Sequence, residues 1–135
     1  MSRVSLATIE STGANYLHHI EAGHFVLDTD EPAKLGGQGA GPAPFDYYLA
    51  SLAACTAITL RMYAQHKGWE LGRFRAELEL TRDDDGRMHV HRILRSDQPL
   101  TDEQWKRLLD IVANTPVTKA MREGAEISSA RGDAL

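Results

Sequence analysis

Residues 44–68 read PFDYYLASLAACTAITLRMYAQHKG, and their interior is the longest stretch of the chain without glycine or proline. This pattern predicts one helix from Pro44 to Lys67, with Gly68 in the place of a left-handed C-terminal cap. Such a helix is about 36 Å long. Its first half is rich in Leu and Ala and has little charge before Arg61, so we expect it to be buried on most sides.

Shorter elements are predicted on both sides of this helix. Before it, alternation of polar and apolar residues predicts three short strands in a meander, near Val4–Ile9, Tyr16–Ile20 and His24–Leu27. After it, the pattern predicts a hairpin of Phe74–Thr81 and Met88–Arg95 with its turn at residues 83–86, and a helix opened by the capping box of residues 101–104. A further short helix is predicted to end at Gly124, with Thr115 as its N-cap and Pro116 as its first residue, and a strand over residues 125–130 follows. The order of elements indicates an α+β protein.

Composition narrows the class of protein. With 135 residues and 42% hydrophobic residues, we expect one soluble domain spanning residues 1–135. The formal net charge of −4 argues against nucleic acid and anionic membranes as partners. The sequence has no signal-peptide pattern and no span of 18 apolar residues. Its single cysteine excludes an intramolecular disulfide, so the expected compartment is the reducing cytoplasm.

That cysteine, Cys55, is the main candidate for chemistry. Helical spacing places Thr59 and Met62 on its side of the helix, and no base lies there. Asp46 falls on the opposite side, where it suits the positive end of the helix and is only a weak catalytic candidate. Activation of the thiol must therefore come from another segment or another subunit. The alternative interpretation is a small buried hydrophobe between closely packed elements.

Two other patterns resemble binding sites. His89 and His91 share one face of a strand and could bind a metal with a third histidine, His18, His19 or His24. No cysteine or carboxylate is placed to complete such a site, and spacing of this kind is common by chance. We therefore predict no metal and no cofactor. The glycines of residues 36–41 lack the Lys and Ser or Thr of a phosphate loop, and we expect them to supply positive φ angles instead.

Several motifs resemble the OsmC/Ohr family of osmotically induced and hydroperoxide-resistance proteins. They are the Asp30-Glu31-Pro32 segment, the glycines at 36, 37 and 39, Gly41-Pro42-Ala43-Pro44, the run from Leu49 to Cys55, Lys67-Gly68, the segment from Asn114 to Thr118 and the final residues 124–127. The resemblance implies an OsmC-like fold. It further implies an intertwined homodimer, whose sheets wrap around two long central helices.

The resemblance also implies a chemistry, from which this chain departs. In the peroxidase branches, the cysteine aligned with Cys55 attacks a peroxide and a second cysteine resolves the product, but Thr115 stands in the second position. A Glu and an Arg that assist the first cysteine are replaced by Phe45 and, near Tyr16, by Asn15. Only a one-cysteine scheme with an external thiol reductant then remains.

Two functions are therefore expected from the sequence. The first is a stress-related oxidoreductase: a thiol-dependent reductase, or peroxidase, that acts on small organic hydroperoxides with Cys55 as nucleophile. The alternative is a non-catalytic member that binds a small hydrophobic ligand at the dimer interface, near Tyr48, Met62 and Cys55.

Overall fold

The computed structural model describes residues 1–135 and contains five strands, three α-helices and a short 3-10 turn. The elements are β1 (Ala7–Ser11), β2 (His18–Ala22), β3 (Phe25–Thr29), a 3-10 turn (Ala33–Leu35), α1 (Pro44–Lys67), β4 (Phe74–Arg82), β5 (Met88–Ser96), α2 (Asp102–Val112) and α3 (Pro116–Glu123). The chain divides into two compact units, residues 1–50 and 51–135, with the boundary inside α1. This mixture of helices and two small sheets confirms the α+β class.

The first unit contains an antiparallel sheet in the order β1-β2-β3. Its register aligns Ile9, Ile20 and Leu27 on one face. Every side chain of β1 is exposed, and Ile9 remains 57% exposed. In the whole unit, the only buried residue is the polar Asp30. The unit therefore has no buried apolar core of its own.

The loop between β3 and α1 is built around the Asp30 carboxylate. Its oxygens accept hydrogen bonds from the backbone N–H groups of Glu31 (2.8 Å), Gln38 (3.1 Å) and Ala40 (3.1 Å). Gly39 has the expected positive φ of 65°. Gly37 is required for a different reason, because a Cβ there would lie 1.9 Å from the Glu31 carbonyl oxygen. The expectation for this glycine is corrected from a positive φ to a close backbone approach.

Helix α1 has the predicted bounds, and Gly68 follows it with a φ of 71°. Its buried face consists of residues four apart, namely Leu52, Thr56, Leu60 and Ala64. The opposite face is exposed and partly apolar, since Ile58 is 56% and Met62 65% exposed. The prediction that α1 is buried on most sides is therefore wrong for a single chain, in which only one side of the helix is covered.

The second unit packs the β4–β5 hairpin and the two shorter helices around the buried face of α1. Ladder pairs run from Phe74 opposite Ser96 to Arg82 opposite Met88. The predicted capping box opens α2, with Thr101 Oγ1 accepting from the Gln104 N–H and Gln104 Oε1 accepting from the Thr101 N–H. The core consists of Leu60, Ala64, Leu71, Leu108 and Val112.

The C-terminal segment differs from its prediction. Residues 125–130 form no strand, and Ile127 is 90% exposed. A strand exists only through hydrogen bonds to a neighbour, and no edge of this chain pairs with the segment. No helix of the protein is long and apolar enough to cross a membrane.

Candidate active site

Cys55 lies on α1 beside the buried stripe, and its free thiol is only partly buried. Its sulfur is 3.8 Å from the Thr59 hydroxyl oxygen one turn later. Sequence spacing had already placed Thr59 on this side of the helix, and the structure confirms it. The other groups that act on the thiol come from outside the helix.

The start of α3 provides the closest of these neighbours. Thr115 is the N-cap residue and Pro116 the first helical residue, as predicted. Val117 follows, and its N–H has no partner within the helix because the first intrahelical bond is from Lys119 to Thr115. The Val117 N–H and the Thr115 side chain act on the Cys55 sulfur, and both favour its thiolate form. The thiol therefore faces the end of a helix that favours negative charge.

The Thr115 hydroxyl has a different role from the one predicted. It makes no capping hydrogen bond to the backbone of α3. Instead it lies 2.7 Å from the Thr118 hydroxyl oxygen, and it is almost completely buried, with 2% exposure. The side chain that replaces the second cysteine of the peroxidase branches thus links the thiol to a polar network.

Arg92 of β5 supplies the positive charge of the site. The period-two alternation of β5 places it opposite Leu78, on the face that carries Val90 and Leu94. An arginine at this inward position is half-buried, and its charge acts on the nearby Cys55 sulfur. The sequence analysis placed the activating group in another segment or another subunit and did not identify Arg92, although a charged residue between two inward apolar positions is a recognisable signal.

These surroundings set the protonation of the thiol. Burial by itself raises the pKa of Cys55. Hydrogen bonds from the Val117 N–H and the hydroxyls of Thr115 and Thr59, together with the charge of Arg92, outweigh burial and lower the pKa below the usual cysteine value. The thiolate is the nucleophilic form of cysteine, so the site favours the reactive species.

Asp46, Phe45 and Asn15, the other candidate positions, make contacts elsewhere in the chain. Asp46 Oδ2 accepts a hydrogen bond of 2.9 Å from the Ala43 N–H, which assigns this carboxylate to the start of α1. Phe45 packs edge to face with Tyr48. Asn15 donates to the Gly36 carbonyl. None of these contacts involves the thiol.

Of the two histidines of β5, His89 pairs with an aspartate. His89 Nε2 is 2.7 Å from Asp83 Oδ2, within the hairpin turn. No group of three or more His, Cys, Asp or Glu side chains is arranged to hold a metal ion.

An open apolar groove of about 460 Å³ lies along α1, lined by Ala57, Ile58, Arg61, Met62, Gln65 and Phe74. It includes Met62 as expected, but neither Tyr48 nor Cys55 lines it.

Fold and site together define an α+β protein with an activated thiol on its longest helix. Residues 37–130, more than two thirds of the chain, match the family model described as OsmC-like protein. The chain therefore belongs to the OsmC-like family, and the resemblance inferred from its motifs is confirmed. No curated protein matches the chain.

Solved structures share this fold. A putative osmotic stress induced and detoxification response protein from Psychrobacter arcticus matches with a TM-score of 0.76 and 21% identity over 89% of this chain and 90% of that one. An OsmC-like protein from Mycoplasma pneumoniae gives 0.71 and 19% over 90% and 89%. The organic hydroperoxide resistance protein OhrB of Bacillus subtilis gives 0.62 and 23% over 89% and 91%. At these identities the likeness shows the fold.

Proposed function

We propose that this protein is a one-cysteine, thiol-dependent reductase of small organic hydroperoxides. One observation carries the proposal: Arg92 donates to Thr56, next to Cys55 on α1, and against the effect of burial the start of α3 and the charge of Arg92 lower the pKa of the Cys55 thiol. This arrangement favours a thiolate, which is the species that attacks a peroxide. The likeness of the fold to an organic hydroperoxide resistance protein supports the choice of substrate.

The first half of the cycle reduces the peroxide. The Cys55 thiolate attacks the terminal oxygen of the hydroperoxide, forming an S–O bond as the O–O bond breaks. The alkoxide leaves with the electron pair and takes a proton from solvent, which yields an alcohol and the sulfenic acid of Cys55. Cysteine is oxidised by two electrons, and the peroxide is reduced by two.

The second half needs an external reductant, because Thr115 has no sulfur with which to form a disulfide. A thiolate of a small dithiol attacks the Cys55 sulfur, an S–S bond forms, and the hydroxyl group leaves as water after protonation. The second thiol of the reductant then attacks the mixed disulfide and releases the Cys55 thiolate. The dithiol leaves as a cyclic disulfide.

A peroxide consumption assay tests this proposal. With dithiothreitol as reductant, the purified protein should consume tert-butyl or cumene hydroperoxide catalytically, and Cys55→Ser should abolish the activity. His66→Gln is a matched control on the same helix, because His66 is exposed and lies about three turns beyond Cys55. Equal rates for the native protein and Cys55→Ser would contradict the proposal.

A second candidate function is favoured by the apolar groove of α1. With Ile58, Met62 and Phe74 in its lining, it offers an apolar surface to a small hydrophobic ligand without using the thiol. Titration with a thiol reagent separates the two candidates. Reaction of native Cys55 with an apparent pKa below about 7.5 favours the reductase, whereas reaction only after unfolding favours a non-catalytic, ligand-binding protein.

We further propose that residues 1–135 act as a single OsmC-like domain within an intertwined, cytoplasmic homodimer. The exposed Ile58 and Met62 on α1, and the lack of a buried apolar core in the first unit, support a second copy as their cover. The unpaired segment of residues 125–130 would find a sheet edge in such an assembly. The free thiol suits a reducing compartment.

A further inference from the structure

The Arg92 guanidinium joins three helices. Its Nη1 donates to the Thr56 hydroxyl on α1 at 2.9 Å and to the Thr118 hydroxyl on α3 at 3.0 Å. Its Nη2 donates to the Val112 carbonyl, the last residue of α2, at 2.9 Å. One side chain of β5 therefore contacts the middle of α1, the end of α2 and the start of α3.

These three acceptors determine where the start of α3 lies. Only residues 113–115 connect α2 to α3, so a bond to Val112 and a bond to Thr118 hold both sides of this short connection. The bond to Thr56 ties the same guanidinium to the helical residue directly after Cys55. Thr56 is fully buried and Thr115 nearly so, and no buried side-chain nitrogen or oxygen lacks a partner. A hydrogen-bonded network of this kind, with Thr56 and Thr115 buried and Arg92 half-buried, holds its members in one arrangement.

We propose that Arg92 is a positioning residue, which holds the N-terminus of α3 against the Cys55 sulfur and thereby maintains the reactivity of the thiol. The inference deepens the proposed function, because it names what keeps that site in place. It assigns to Arg92 a role beyond its charge: the guanidinium fixes the Val117 N–H and the Thr115 hydroxyl at the sulfur.

Geometry explains why an arginine stands at this position. The guanidinium is planar and presents five N–H groups in a fixed fork, so it can reach a hydroxyl on each of two helices and a carbonyl on a third. A lysine ammonium is a compact point charge on a flexible chain. Arg92→Lys therefore keeps the positive charge but loses the fork, and it separates positioning from simple charge attraction.

The test is the rate at which iodoacetamide alkylates Cys55 between pH 5 and 9. In Arg92→Lys we expect the rate at pH 7 to fall about fivefold, the equivalent of one lost hydrogen bond, and the midpoint of the profile to move to higher pH. The matched control is Arg95→Lys, an exposed arginine on the opposite face of β5, which should leave the profile unchanged. Arg92 is the charged group that acts on Cys55, and Arg122 is a second charged group that acts on Arg92. Arg122 is therefore left unchanged in every variant.

Unchanged alkylation in folded Arg92→Lys would overturn the inference. If this variant does not fold by circular dichroism, Thr56→Val decides instead, because it removes one acceptor of Arg92 at nearly constant volume. A slower reaction supports positioning, and a native profile contradicts it. Peroxide consumption is measured separately. If the native protein consumes no peroxide, the proposed function is wrong. The alkylation rates still test the role of Arg92 in that case.

Discussion

Among the residues of the site, Cys55 has a thiol that favours the thiolate form, and no second cysteine lies beside it. Cys55 lies where a helix N-terminus and an arginine lower its pKa. The side chain beside it, Thr115, can donate a hydrogen bond but cannot form a disulfide. In the proposed cycle the sulfenic acid must therefore await an outside thiol. During that time further peroxide can oxidise it irreversibly to the sulfinic acid.

Thr115→Cys tests this view of the residue. Because the Thr115 side chain contacts the Cys55 sulfur, the introduced thiol should form an intramolecular disulfide after one equivalent of hydroperoxide. The loss of the buried contact with Thr118 should cost about 1 kcal/mol of unfolding free energy. Mass spectrometry and thiol counting measure the disulfide. Thr115→Ser is the control, and two free thiols in oxidised Thr115→Cys would contradict the contact.

At the scale of the element, short segments are held by polar side chains rather than by apolar packing. Helix α3 has eight residues and no buried one, yet its start is tied to Arg92 through Thr118. The loop before α1 is likewise organised by Asp30, whose carboxylate receives three backbone N–H groups. In both segments the hydrogen bonds of one charged side chain hold a short element that has no apolar core.

The Asp30 loop leads to a prediction about pH. The hydrogen bond from the Ala40 N–H, with those from Gln38 and Glu31, outweighs burial and lowers the pKa of Asp30. A lowered pKa means that the carboxylate stabilises the fold above its unfolded pKa of about 3.9, and that this contribution is lost as pH falls through the folded pKa. In Asp30→Asn an amide N–H₂ meets a backbone N–H, so the loop should loosen already at neutral pH.

Hydrogen exchange of the Gln38 and Ala40 amides measures this effect. Exchange should be faster in Asp30→Asn than in the native protein at pH 6, and the difference in thermal stability between the two should shrink below about pH 4. Asp28→Asn is the matched control, since the exposed Asp28 carboxylate contacts His19 instead. A stability difference that persists unchanged down to pH 2 would rule out this role of the charge.

At the scale of the whole molecule, apolar surface remains uncovered in both units. The first unit has an apolar face with Ile9, Ile20 and Leu27 aligned, and the second has Ile58 and Met62 on α1. Large apolar patches on a protein surface mark interaction sites. A second copy of the chain, as we propose, would cover them.

Light scattering tests the proposed assembly. The native protein should have twice the 14.9 kDa mass of the chain, and Met62→Glu should lower that mass because it places a charge within the exposed apolar face. The control is Thr81→Glu, an exposed position of the hairpin, which should keep the native mass. A native mass of 14.9 kDa would refute the homodimer.

The sequence predicted the elements well where their signals are local. The bounds of α1, the capping box at Thr101 and the turn at residues 83–86 all depend on neighbours a few residues apart. It could not predict that Val117 and Arg92 act on Cys55, because these interactions join residues that are tens of positions apart and depend on packing. The prediction of a strand over residues 125–130 was wrong for a related reason. A sequence pattern can show that a segment is able to pair in a sheet, but it does not show which strand is its partner.

The loop around Asp30 has a consequence for how this chain can evolve. Loops ordinarily tolerate insertions and deletions among relatives. Here the loop has a fixed length, because the Asp30 carboxylate accepts hydrogen bonds from the N–H groups of Gln38 and Ala40. In addition, Gly37, directly before Gln38, lies against the Glu31 carbonyl. A residue inserted or deleted between Asp30 and Ala40 would break these contacts. The hydrogen bonds therefore constrain the length of this loop rather than the identity of its exposed side chains.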